Sequence, residues 1–187
     1  MRNFRVLRRT FSGCAVLIVT LSTMLTGCLG MPDNVTAVKD FQLERYLGTW
    51  YEIARLDHRF ERGLSRVQAH YSLRADKGVR VINRGFDAKS GRWSEAEGKA
   101  YFVGDTDIGR LKVSFFGPFY GAYNIVELDR ADYRYAMVVG PSTRYLWILA
   151  RDPQLEPAIV DRLVAKAEAL GFPVDELIFP EHDGTAN

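Results

Sequence analysis

Between Thr49 and Arg151 apolar and polar side chains alternate in short runs, each bounded by turn residues such as glycine, proline, aspartate and serine. A period of two marks a strand with one buried face. Eight such runs are read, at about 49–58, 66–74, 79–86, 93–103, 110–116, 121–128, 133–139 and 143–151. The second is the clearest, with Val67, Ala69, Tyr71 and Leu73 alternating with Gln68, His70 and Ser72. Connections as short as Asp76-Lys77-Gly78 favour antiparallel neighbours in a meander. The predicted fold class is all-β, an eight-stranded antiparallel up-and-down β-barrel, because closing the sheet removes its unpaired edges. The period then changes. Pro157 suits a first helical position, Val160, Leu163, Val164, Ala167 and Leu170 form a stripe, and Gly171 can end the helix. One α-helix is expected on the outside of the barrel, followed by a short edge strand at Leu177-Ile178-Phe179.

An even strand count brings the start of the first strand and the end of the eighth to the same end of the barrel. Trp50 and Arg151 therefore become neighbours, and a guanidinium stacks well on an indole face. This pair is expected to plug one end, with Gly48 permitting close approach of the backbone. The other end stays open. Parity with Trp50 points Glu52, Ala54 and Leu56 inward, and parity with Arg151 points Tyr145, Trp147 and Leu149 inward. The third and fifth strands add Val81, Asn83, Val113 and Phe115 to this ligand pocket. Glu52 is the inconsistent member, since an inward carboxylate needs partners; a structural role beside the plug is expected of it. The loops at the open end include "HRFERGLS" and "FFGPFYG". In the second, Phe116, Phe119 and Tyr120 crowd a hairpin tip that is ordinarily polar. They either form an entrance that meets lipid or fold inward to pack the rim, and the sequence leaves both open.

The region before the barrel changes the reading of charge and location. Residues 1–27 carry Arg2, Arg5, Arg8 and Arg9 and then an uncharged apolar stretch from Phe11 to Leu25, the pattern of an export signal. Without its four arginines, 21 of the 25 basic residues remain against 23 acidic ones, a net charge of −2. No basic run interleaved with aromatics is left to bind nucleic acid. Residues 28–40 contain Pro32 and read as an extended tether, with the domain proper at 41–187. The two cysteines, Cys14 and Cys28, lie in or beside the leader, so no internal disulfide is expected.

Several of these stretches resemble a known family. "GTWYEIAR" and "YLWILAR" resemble the first and third lipocalin motifs, and Leu128-Asp129-Arg130 stands where the second is expected. "EGKAYF" and "VSFFGPFYG" are similar to bacterial lipocalins and to apolipoprotein D. The layout this implies favours Tyr123 and Ile125 inward, where parity alone does not fix the fourth, sixth and seventh strands. Leu25-Thr26-Gly27-Cys28 resembles a bacterial lipobox, which implies cleavage before Cys28 and acylation of its sulfur and amino group. Two or more acyl chains hold a protein on a bilayer, at about 0.8 kcal/mol per buried methylene. Leu29, in place of an aspartate, resembles the outer-membrane sorting pattern, so the expected location is the periplasmic face of the bacterial outer membrane.

The resemblance implies a carrier whose partners are small amphipathic lipids such as fatty acids or lysophospholipids, for storage, transport or membrane repair. Burying about fifteen methylenes contributes on the order of 12 kcal/mol before the cost of association. The rival readings are a fully packed barrel that binds a protein partner, and an enzyme. Candidates for chemistry are few. His58, His70 and His182 lack metal-ligand spacing, and Ser65, Ser72, Ser94 and Ser114 have no base beside them in sequence. No cofactor, metal or catalytic centre is expected. The oligomeric state stays open, a homodimer included.

Overall fold

The computed structural model describes residues 29–182. The expected leader, the expected acylation site Cys28 and residues 183–187 lie outside the described residues. The eight strands are β1 (Gly48–Arg55), β2 (Leu64–Leu73), β3 (Val79–Asp87), β4 (Arg92–Phe102), β5 (Arg110–Ser114), β6 (Gly121–Leu128), β7 (Tyr135–Val139) and β8 (Leu146–Ala150). Each pairs antiparallel with the next, and β8 pairs with β1, so the sheet closes into a barrel. Before β1 stands a four-residue helix, α1 (Leu43–Tyr46), which the alternation gave no sign of. After β8 comes the expected helix, α2 (Pro157–Ala169), ended by Gly171 at φ +83°.

Alternation divides the apolar residues into two clusters. Trp50, Tyr71, Val81, Ile125 and Leu149 meet inside the barrel. Ile53, Met137 and Ile148 face outward and pack beneath Leu163 and Ala167 of α2, both of which are fully buried. Arg162 and Lys166 of α2 pair with Glu127 of β6, fixing the helix on the wall.

The departures from strict alternation decide the shape of the site. The pairing of β1 with β8 slips by one residue between Glu52 and Ala54. Such a bulge turns every later side chain to the opposite face. Ala54 and Leu56, expected in the pocket, therefore pack in the outer cluster under α2, and Arg55 enters the barrel in their place. Strand ends also shift. Tyr133 has φ +56° and its N–H turns back to the Asp129 carbonyl at 2.9 Å, so β7 begins only at Tyr135. Tyr145 donates to the Ser142 carbonyl at 3.1 Å, which delays β8 until Leu146.

The expected final edge strand is a single bridge. Ile178 exchanges backbone hydrogen bonds of 2.8 and 2.9 Å with Arg55, and nothing around it among the described residues extends the ladder. The tail nevertheless continues across a seam. β1 and β2 pair only from Gly48 opposite Tyr71 to Tyr51 opposite Gln68. Beyond that point Arg66 N–H donates to the Glu181 carbonyl at 3.0 Å, and His182 Nε2 donates to the Glu52 carbonyl at 2.7 Å. The segment expected as a free tether is also bound to the barrel. Val35 and Val38 are buried, Val38 N–H donates to the Ile125 carbonyl at 2.9 Å, and Asn124 reaches the Gly30 carbonyl at 3.3 Å.

Candidate functional site

At the closed end Trp50 is fully buried, and its Nε1 donates to the Tyr46 carbonyl of α1 at 2.8 Å. Arg151, one residue past β8, sets its guanidinium carbon 4.0 Å from the Trp50 ring centroid. Its Nη1 donates to the Thr49 carbonyl at 2.9 Å, its Nη2 to the Arg45 carbonyl at 2.7 Å, and its Nε to the Tyr133 carbonyl at 3.3 Å. Three backbone segments are thereby tied over one indole. Gly48, at φ +94°, lies directly beneath, where a Cβ would stand 3.4 Å from Arg151 Nη1. Partial burial draws the Arg151 pKa down from its ordinary value, against the opposing pull of Tyr46 and Tyr71.

Above the indole lies a floor of three tyrosines. The Tyr123 hydroxyl is 2.8 Å from that of Tyr46 and 2.9 Å from that of Tyr71, and the Tyr46 ring centroid is 4.5 Å from Trp50. Burial pushes all three phenol pKa values up, so the chain is one of neutral hydroxyls. Tyr123→Phe leaves the other two hydroxyls buried without their shared partner. The expected cost is about 1 to 3 kcal/mol, read from urea unfolding of the two proteins.

Of the expected pocket residues, Val81, Ile125 and Leu149 are buried inside, with Val113, Phe115, Tyr123 and Trp147 packed against the same cluster. Asn83 shares their face opposite Ala69, and its Oδ1 is buried without a hydrogen-bond partner among the described residues. Tyr145 stands at the mouth, stacked on Trp147 with centroids 6.3 Å apart. Phe116 and Phe119 are exposed at the tip of the β5–β6 hairpin, at 71% and 79%, and Phe60 joins them from the β1–β2 loop at 60%. Tyr120 does not belong to this entrance. Gly121 pairs with the inward Val113, so alternation turns Tyr120 to the outer wall, beside Tyr101 and 5.1 Å from Lys112 Nζ.

The alternation does not reveal a buried polar group at the mouth. The β1–β2 loop carries Glu61 into the barrel, where its Oε2 accepts from the Trp147 indole Nε1 at 3.2 Å. His58 Nε2 lies 3.1 Å from the same oxygen, close enough for an ion pair but off the line of a hydrogen bond. Arg55 Nη1 donates to Glu52, and its Nη2 donates to the carbonyls of Glu61 and Leu64 at 3.0 and 3.2 Å. Burial raises the Glu52 pKa well above the ordinary range, reinforced by the charge of Glu61 and opposed by Arg55. Burial also works to raise Glu61, but the neighbouring His58 above all, with Glu52 and Trp147, outweighs it and holds Glu61 below the ordinary value. The two carboxyls of one cluster are thus pushed in opposite directions, Glu52 toward its protonated form and Glu61 toward its ionised one. Sequence did carry one signal: two charged groups, Glu52 and Arg55, sit three residues apart in an otherwise apolar stretch.

Beside this cluster a cavity of about 290 Å³ opens at the rim, lined by Asp57, His58, Arg59, Phe60, Arg144 and Tyr145. A second, of about 440 Å³, lies at the closed end against α1, Leu73 and Phe102. The rim cavity adjoins the aromatic wall of Tyr145 and Trp147.

A meander barrel of eight strands, stoppered at one end and lined with aromatic and aliphatic groups, defines the up-and-down barrels whose interior suits side chains or one small ligand. The chain belongs to the lipocalin-like domain family, whose sequence model matches residues 41–182. It is 54% identical over 165 residues to the outer membrane lipoprotein Blc of Vibrio cholerae serotype O1, covering 88% of this chain and 96% of that one. It is 53% identical over 154 residues to the outer membrane lipoprotein Blc of Escherichia coli K12, covering 82% and 86%. Bovine apolipoprotein D is 34% identical over 143 residues, covering 72% and 74%. Among solved structures, insecticyanin from the tobacco hornworm Manduca sexta superposes with a TM-score of 0.67 at 23% identity, covering 83% and 88%. That last likeness is one of fold.

Proposed function

We propose that this chain is a carrier of fatty acids, lysophospholipids or similar amphiphiles, held at the periplasmic face of the outer membrane by acyl groups on Cys28. The observation that carries this reading is the asymmetry of the barrel. One end is tied shut by Trp50 and Arg151, while the other presents exposed Phe116 and Phe119 on one loop and, on another, Phe60 lining a cavity with Tyr145. Small-molecule sites are typically apolar concavities with a few placed polar groups. The similarity to outer membrane lipoproteins supports the location, and the hydrocarbon lining supports an acyl ligand over a polar one. Storage, transfer and repair of membrane lipid all follow from such binding. No catalytic role is proposed.

Trp147 is the natural reporter, since it faces the interior and bonds Glu61. Delipidated protein titrated with a lysophospholipid or a fatty acid is expected to show a saturable change in tryptophan emission at micromolar ligand, lost in Trp147→Phe. A second reading, a packed barrel that docks a protein partner, is favoured by one observation: the interior near the mouth is filled by Glu61, Trp147 and Arg55. The same titration separates them. An unchanged spectrum for every amphiphile tried rejects the carrier and leaves the packed barrel.

A further inference from the structure

A rim cavity of about 290 Å³ is at the small end of ligand sites, which run from roughly 300 to 1,000 Å³, so an amphiphile must gain more room from the mouth itself. The group that occupies that room is the side chain of Glu61. A loop glutamate has no packing reason to enter a barrel, and taking a carboxylate out of water is costly unless donors await it. Here they do. Trp147 Nε1 is aimed at its Oε2, and the His58 imidazole adjoins the same oxygen. Two further polar atoms of this cluster, Arg55 Nε and His58 Nδ1, are buried without a partner among the described residues, on side chains that are themselves 2% and 5% exposed. The cluster is therefore richer in donors than one glutamate uses.

We propose that Glu61 is an internal stand-in for the ligand's head group, and that Trp147 and His58 form the seat of a fatty-acid carboxylate that Glu61 vacates on binding. This rests on the carrier reading given above and names its ligand class and its selecting residues. The exchange is neutral in charge. One carboxylate leaves the low-dielectric mouth and one arrives, so the charge beside Arg55 and Glu52 is unchanged. The ligand's first methylenes then lie on the stacked rings of Tyr145 and Trp147, with His58 5.0 Å from Trp147 on the third side. A lysophospholipid fits this seat less well, because its phosphate is bulkier than a planar carboxylate and follows a glycerol. Arg55 holds the loop backbone through the Glu61 and Leu64 carbonyls, so a rotation of the Glu61 side chain frees the seat without unfolding the loop.

The test is calorimetric binding of dodecanoic acid, dodecanol and a lysophospholipid with the same acyl chain, at neutral pH, to the unmodified protein and to three variants. Glu61→Ala removes the competitor. It is expected to tighten dodecanoic acid about tenfold while dodecanol stays within about twofold. Trp147→Phe in the Glu61→Ala background removes a donor and is expected to reverse most of that gain for the acid alone. Glu61→Gln, which keeps the volume, guards against a folding defect and is expected to move the acid in the same direction by a smaller factor. An equal gain for acid and alcohol means that Glu61 merely fills space, and overturns the inference while leaving the carrier intact. A gain confined to the lysophospholipid overturns it in favour of a phosphate seat. Failure of all three ligands to bind any of the proteins overturns the carrier reading and this inference together.

Discussion

Trp50→Ala is expected to cost about 3 to 5 kcal/mol of stability, enough to remove a large share of what a single domain possesses. The side chain is completely buried, so its loss opens a cavity between α1 and the first turn of the barrel. Its effects extend to its neighbours. The Tyr46 carbonyl loses the indole N–H, and Arg151 loses the ring on which its guanidinium lies, keeping only the carbonyls of Arg45, Thr49 and Tyr133. Urea unfolding of Trp50→Ala, Arg151→Ala and the double variant separates the direct loss from the coupled one. The double variant is expected to be more stable than the sum of the singles predicts, by about 1 kcal/mol, because each single change already breaks the stack. Trp50→Phe retains a ring but no N–H, and is expected to fall between. A Trp50→Ala midpoint within experimental error of the unmodified protein contradicts the claim that this end is held shut by the indole.

The same pair shows what was legible in the sequence and what was not. Eight alternating runs and an even count are enough to place Trp50 under Arg151, because closure is a property of the whole meander and tolerates errors of a residue or two at strand ends. Side-chain direction does not tolerate them. One extra residue at the β1 bulge moves Ala54 and Leu56 to the helix side and Arg55 to the interior, and a period of two carries no mark of such an insertion. Tyr120 departs from expectation for a related reason: it ends an apolar loop tip in sequence, yet it already obeys the alternation of β6. Glu61 was out of reach altogether. It lies in a polar loop, where a carboxylate normally faces water, and only its three-dimensional neighbours Trp147, His58 and Glu52 give it a reason to turn inward. The tail was half-read: an apolar triplet signalled pairing, but the seam that limits it to one bridge depends on where β1 and β2 separate.

Arg55→Leu is expected to be comparably damaging at neutral pH, at about 3 to 5 kcal/mol, since it strands a buried partner and does not simply delete a contact. Leucine fills much of the volume, so the loss is electrostatic: Glu52 keeps its burial and its proximity to Glu61 but has no cation, and the carbonyls of Glu61 and Leu64 lose their donor. The pH dependence identifies the mechanism. Glu52 is a group whose folded pKa is raised above its unfolded one, so the stability tied to its proton is fully present below the ordinary carboxyl range and is lost as pH rises through the folded value. Removing Arg55 takes away the influence that opposes this rise and widens the window. Arg55→Leu should therefore differ least from the unmodified protein near pH 4 and diverge upward, by up to about 1.4 kcal/mol per pH unit. Glu61 acts in the opposite sense: its pKa is lowered, so its contribution is present above the ordinary range and disappears in acid, in both proteins alike. Adding Glu52→Gln to Arg55→Leu fixes a neutral group beside Glu61, and is expected to restore stability at pH 8 while changing little at pH 4. A deficit that stays constant from pH 4 to pH 8, or that the glutamine leaves untouched at pH 8, would mean that Arg55 supports the loop through its carbonyl bonds and not by balancing the charge of Glu52.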